Sequence, residues 1–215
     1  MAWSYTALTS FETCPRKHYH TRIAKDVPDP PGAEAQWGTR VHKYLEDRIK
    51  LGTPLPESTR QYEPYAQRIA NTRGDVITER KVAVTKDLKP TDFFAEDVWC
   101  RGIFDLTIVR EDHVIILDWK TGKRRPGSDQ LDLFAALARQ LHPEASRITT
   151  GFVWLKAQKI DKETWRPCDL DDVWAGFVRR ATRLEQAVET NSFDPKPNGL
   201  CRRYCPVRSC LYHGE

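Results

Sequence analysis

The sequence predicts a mixed α/β fold, with a central sheet built on an antiparallel hairpin, flanking helices and a helical N-terminal part. Three observations carry this. Apolar residues in the first third recur at helical spacing, as in Trp37, Val41, Tyr44, Leu45 and Ile49. From Val76 the pattern changes to strand alternation rich in β-branched residues. Two strand-like runs, 98–109 and 114–120, are then separated only by the polar REDH, which reads as a hairpin turn.

The elements follow in order. SYTALTSFETC, residues 4–14, suits a short helix ending before Pro15, because a proline disfavours helix in the residue ahead of it. PDPPG at 28–32 is a loop, and a helix from Glu34 to Leu51 stops at Gly52. A second helix is expected over 61–72, ending near Gly74. Strands follow at 76–84 and in the hairpin, then an amphipathic helix over 129–141, capped by Ser128 and closed by Pro143. Further strands are expected at 148–156 and near 164–167. A helix over 171–189 is expected to carry Val173, Trp174, Phe177, Val178, Ala181, Leu184 and Val188 on one face. The tail from Asn191 has little periodicity and three of the six cysteines.

A chain of 215 residues suits one domain: helical over 1–75, sheet core over 76–168, helix over 169–190, cysteine-rich tail over 191–215. With 40% hydrophobic and 30% charged residues, disorder throughout is excluded. No apolar run approaches the roughly 20 residues of a membrane span, and the N-terminus does not read as a signal peptide, so a cytoplasmic address without membrane contact is expected. The net charge of +4 is too mild to argue for nucleic acid, so any basic patch must come from local clustering.

The hairpin holds the sharpest chemical signal. With Glu111 and Asp112 in its loop, Asp105 falls opposite Asp118, and Lys120 shares the face of Asp118. Opposed like charges are destabilising, and a divalent cation taking oxygen ligands is their natural compensation. Lys120 adds a positive donor able to orient water or stabilise charge on phosphorus. Glu79, on the neighbouring strand, would supply another carboxylate or pair with Lys120. His42, at the edge of an apolar helical stripe, is a further candidate ligand.

These pieces resemble the PD-(D/E)XK nuclease superfamily, in particular the RecB-type nuclease domain shared with AddB and the CRISPR-adaptation nucleases. SYTALTSFETCPRKHY is similar to the N-terminal helix of that group with its Cys-Pro-Arg. Gly38 to His42 matches G-x-x-x-H, Gly102 to Asp105 matches G-x-x-D, and Asp118-Trp119-Lys120 matches D-x-K. Gln130 stands where the group carries Q-x-x-x-Y, with Phe134 replacing the tyrosine. The resemblance implies a restriction-endonuclease-like core and a Mg- or Mn-dependent DNA nuclease, expected to be an exonuclease on single-stranded or free ends. His42, Asp105, Asp118 and the Trp119 carbonyl would hold the metal. Asp105, Asp118, Lys120, Glu79 and Gln130 would form the catalytic set. A role in recombination, repair or spacer capture, with a protein partner, would follow.

Cys201, Cys205 and Cys210 form C-x3-C-x4-C, and Cys14 lies far upstream. The resemblance implies a 4Fe–4S cluster on these four, in a spacing that departs from the usual C-x2-C; zinc, with His213 replacing one cysteine, is the alternative. Cys100 and Cys168 are expected to be structural and buried. Phosphate contacts are expected from Arg16, Lys17 and His18, from Lys123, Arg124 and Arg125 beside the hairpin, and from Arg202, Arg203 and Arg208. Tyr19, Tyr204 and Tyr212 are candidates for stacking on unpaired bases. The rival reading is a catalytically idle DNA-binding module whose iron–sulfur or zinc site is structural.

Overall fold

The computed structural model describes residues 1–125 and 127–215. They divide into two compact units, residues 1–30 with 175–215, and residues 31–174.

The larger unit holds the sheet. Strands β1 (Asp75–Val84), β2 (Cys100–Val109), β3 (His113–Lys120), β4 (Arg147–Trp154) and β5 (Lys159–Trp165) lie in sequence order. All neighbours are antiparallel except β3 and β4, whose parallel pairing is made possible by the crossover helix α5 (Gln130–Leu141). The inner strand β4 is buried along almost its whole length and reads as an apolar run, whereas the edge strand β5 is lysine- and acid-rich and exposed. β5 begins earlier than the expected 164–167, because the turn at 155–158 sends the chain straight back along β4, pairing Trp154 with Lys159.

The helix α3 (Ala33–Leu51) ends as expected at Gly52, in the left-handed region at φ 73°. Its Val41 and Leu45 pack into one core with Leu106, Ile108, Leu117, Trp119 and Val153. The expected helix over 61–72 is instead a 3₁₀ turn (Glu57–Tyr62) leading into α4 (Glu63–Ala70). Pro64 explains the start, since a proline is tolerated only in the first turn of a helix. α5 begins at Gln130 with Asp129 as its N-cap residue. Ser128 stands one position too early to cap it, and its hydroxyl accepts the Gln130 N–H at 3.3 Å.

The smaller unit joins the two ends of the chain. It contains α1 (Tyr5–Thr13), α2 (Pro15–His18), a π-turn (Tyr19–Ile23), the later part of α6 (Leu170–Glu189) and the tail. Ser4 caps α1 by accepting the Ala7 N–H. Arg180 donates twice to the Glu12 carboxylate, at 2.6 and 2.8 Å, and Trp3 stacks on Phe177 at 6.2 Å. Lys196 Nζ and Asn198 Nδ2 donate to the Glu12 and Thr13 carbonyls, which ties the tail to the end of α1. Among the described residues no helix is long and apolar enough to cross a membrane.

Candidate active site

The hairpin has the expected register, with Leu106 opposite Leu117 and Val109 opposite Val114. Asp105 and Asp118 nevertheless do not face each other directly. The ladder ends at the Leu106–Leu117 pair, one step short, and the strands part into a fork. Asp105 turns to α3, its Oδ2 lying 3.3 Å from His42 Nδ1 and accepting the Trp119 N–H at 2.8 Å. Asp118 turns to α5, its Oδ1 accepting from Gln130 Nε2 at 3.0 Å. Two buried carboxylates held directly opposite would repel at full strength; the fork gives each its own donors.

Lys120 lies between these groups. Its ammonium is 2.7 Å from Asp118 Oδ2 and donates to Gln130 Oε1 at 2.9 Å, above the Phe152 ring at 4.7 Å. One amide thus holds both the acid and the lysine of D-x-K. Its place at the first residue of α5 fixes it there, because the helix is pinned by Leu133, Phe134 and Leu137 in the core. Gly102 lies beneath the same helix, where a side-chain carbon would make ordinary contacts with Leu137 Cδ1 at 3.4 Å and a Phe134 ring carbon at 3.6 Å. Phe134 itself is buried against Phe104 at 4.9 Å, in a position suited to an apolar ring.

His42 reaches the fork from α3. Its Nε2 lies 2.9 Å from the Trp119 carbonyl oxygen and its Nδ1 faces Asp105. Burial pulls the imidazole down, but the Asp105 carboxylate, helped by Asp118 and Glu79, raises it above the usual histidine value. Glu79 lies on β1 at φ 48°, where a non-glycine residue is strained, and it interrupts the β1–β2 ladder between Thr78 and Arg80. Its carboxyl is raised, first by burial and then by Asp105. The Asp118 carboxyl is raised as well, by burial and by Asp105, against the pull of Lys120.

His42, Glu79 and Asp105 offer ligand atoms within 4.8 Å of one another, and among the described residues they form the only such group. Glu79 therefore joins the compact set, whereas Asp118 stands just outside it. The donor chemistry fits a hard divalent cation: two carboxylates, one imidazole and a carbonyl, with Glu79 and the neighbouring Asp118 both raised by burial and by Asp105. The Asp118 Oδ2 atom is buried with no aligned hydrogen bond, although Lys120 is close, so it retains acceptor capacity. The strain at Glu79 has no signature in the sequence; only the unexpected acid in a strand marked the position.

Other expected residues divide. Arg124 is engaged by Asp161 through two contacts of 2.7 Å, while Lys123 and Arg125 line a cleft of about 810 Å³ that starts at Lys120. Sequence reasoning missed Trp37 and Lys156, which line the same cleft from distant segments. In the smaller unit Arg16 is exposed and Lys17 pairs with Asp29 at 2.9 Å. His18 is buried edge-on against Phe11 and is not a surface phosphate contact. Cys14, Cys201, Cys205 and Cys210 line one small cavity as free thiols. The Lys196 and Asn198 amides point at the sulfurs of Cys14 and Cys201, at 3.5 and 3.4 Å. Cys100 is fully buried, but Cys168 is exposed, because it falls in a surface 3₁₀ turn (Pro167–Asp169) rather than a strand.

Residues 2–210 match the family model of the PD-(D/E)XK nuclease superfamily. The gene 69 protein of Mycobacterium phage D29 is 30% identical over 116 residues, which cover 52% of this chain and 42% of that protein. The chain thus spans less than half the length of this curated relative. A solved structure from Eubacterium rectale, provisionally named an exonuclease, superposes with a TM-score of 0.53 at 13% identity, over 94% of this chain and 86% of that one. A second, SSO0001, has a TM-score of 0.49 at 16% identity, over 99% and 86%. The five-strand mixed sheet with its flanking helices is the restriction-endonuclease-like fold.

Proposed function

This chain belongs to the PD-(D/E)XK nuclease superfamily, and on that premise we propose that it is a divalent-metal-dependent deoxyribonuclease of the RecB-like branch, trimming single-stranded or free DNA ends. One observation carries the reading: His42, Glu79, Asp105, Asp118 and Lys120 converge on one fork, braced by Gln130.

His42, Glu79 and Asp105 would hold the cation, with Asp118 and the Trp119 carbonyl completing its surroundings. A bound Mg or Mn ion would supply Lewis-acid stabilisation of the phosphate and a water of lowered pKa. Lys120 is positioned for the remaining chemistry. Gln130 fixes its ammonium beside Asp118, where it would orient the attacking water and balance negative charge gathering on the phosphate oxygens. The Phe152 ring beneath excludes water from one side and strengthens that electrostatic contribution.

We propose further that Cys14, Cys201, Cys205 and Cys210 hold a 4Fe–4S cluster rather than zinc. The support is that the four thiols line one cavity and that two backbone amides are aimed at their sulfurs, the kind of hydrogen bond that tunes such clusters. Work on free ends would place the protein in recombination or repair.

The test is cleavage of linear single-stranded, linear duplex and closed circular DNA with Mg or Mn. Asp118→Ala and Lys120→Ala are each expected to lose about 100-fold or more of the rate, and closed circles should survive. Intact substrate in every wild-type reaction, or an Asp118→Ala variant as active as wild type, would refute the enzymatic reading in favour of an idle binding module.

A further inference from the structure

The cleft beside Lys120 has a character that the fork alone does not require. Lys120 is one of its lining residues, and Lys123, Arg125 and Lys156 line it from two segments, against a single acid, Glu34. None of these three outer cations has an ion-pair partner within 4.0 Å among the described residues, whereas the intervening Arg124 is bound to Asp161. The basic run is therefore split: alternate residues face the cleft and the middle one braces β5.

Trp37 lines the same cleft from α3, half-buried and packed against the core, with the Arg40 guanidinium 5.5 Å above its ring. Its helix is held closely. At the next residue, Gly38, a side-chain carbon would lie 3.1 Å from Thr121 Oγ1, so α3 packs closely against the segment that follows Lys120. The other tryptophan of the cleft, Trp154, is only 5% exposed and its N–H is tied to Asp161 at 2.8 Å, so it serves as wall. Three cations without an ion-pair partner among the described residues and one indole thus line the same cleft, which reaches Lys120 of the fork.

We propose that this cleft is the track of an unpaired nucleic-acid strand, in which the Trp37 indole stacks on a base while Lys123, Arg125 and Lys156 contact its phosphates. The inference rests on the nuclease reading and deepens it by naming the residues that would select an unpaired strand. A flat indole accepts any base, so binding is independent of sequence, and it requires a base freed from its pair. Duplex ends without an overhang offer no such base.

The experiment measures binding, not cleavage. Fluorescence anisotropy of a labelled oligo-dT and of a blunt duplex is followed in EDTA across a salt series, with the full-length protein. Trp37→Ala is expected to weaken oligo-dT binding about tenfold at every salt concentration, leaving the slope of log K against log salt unchanged, because stacking releases no counterions. Trp37→Phe should recover most of that loss. Lys156→Gln should instead flatten the slope by about 0.7, the contribution of one single-strand phosphate. A single cooperative thermal unfolding transition in each variant confirms that the fold is intact. Wild-type affinity for oligo-dT in Trp37→Ala, an equal loss on blunt duplex, or an unchanged slope in Lys156→Gln would each overturn the proposal. Because no divalent ion is present, these results stand apart from the cleavage assay: an inactive enzyme can still show the track, and an active one can lack it.

Discussion

Glu79 shows how a single residue is made to serve the fork. Its left-handed backbone costs of order 1–3 kcal/mol in a strand that would otherwise run regularly, yet it is this departure that gathers its carboxylate with His42 and Asp105. Glu79→Gly is therefore expected to raise stability by about 1 kcal/mol, because glycine takes positive φ freely, and to lower cleavage sharply; denaturant unfolding and rate measurement on one preparation check both. His18 has a different cost. Burial, then the charge of Arg22, lowers its pKa from 6.5 to about 4. The unfolded chain therefore binds a proton that the folded one refuses, so the stability contributed by neutral His18 is complete above pH 6.5 and is lost as pH falls toward 4. His18→Phe should remove that part of the pH dependence, of order 3 kcal/mol between pH 7 and 4. Urea unfolding at the two pH values gives the comparison.

At the scale of elements, two helices meet the fork from different sides and each brings one group. α3 delivers His42, and α5 delivers Gln130. Gly38 allows the first approach. A helix interior ordinarily gains up to 1 kcal/mol when glycine becomes alanine, but here the added carbon would press on Thr121 Oγ1. Gly38→Ala is expected to lose activity several-fold, and the double change with Thr121→Ala to regain most of it, since removing that oxygen vacates the space; a double-mutant cycle on cleavage rate isolates the contact. The motif residues Asp105, Asp118, Lys120 and His42 were legible in the sequence because their order and spacing are local and the hairpin register follows from a short turn. The parting of the strands was not legible. Whether two acids meet or diverge depends on the donors α3 and α5 provide, and those lie far away in sequence.

For the whole molecule, four cysteines near its two ends line one cavity in the smaller unit. Cys205→Ser should reduce iron from about four per chain to a small fraction, bleach the brown colour and lower the unfolding temperature; colorimetric iron and sulfide analysis together with a melting curve would show it. A colourless, zinc-loaded wild type would instead favour the tetrahedral alternative. The sequence by itself determined the fold class, the hairpin with its register and the acids and lysine of the fork, because periodicity, turn length and residue chemistry are written in short stretches of chain; Cys14 was joined to the tail cysteines only by the family resemblance. Only the tertiary structure decided that Glu79 joins the compact donor set, that Gln130 binds Asp118 and Lys120 together, that Arg124 is occupied, and that Trp37 and Lys156 share a cleft with Lys123. Those facts rest on backbone strain and on contacts between residues tens of positions apart, which packing creates and no local pattern records.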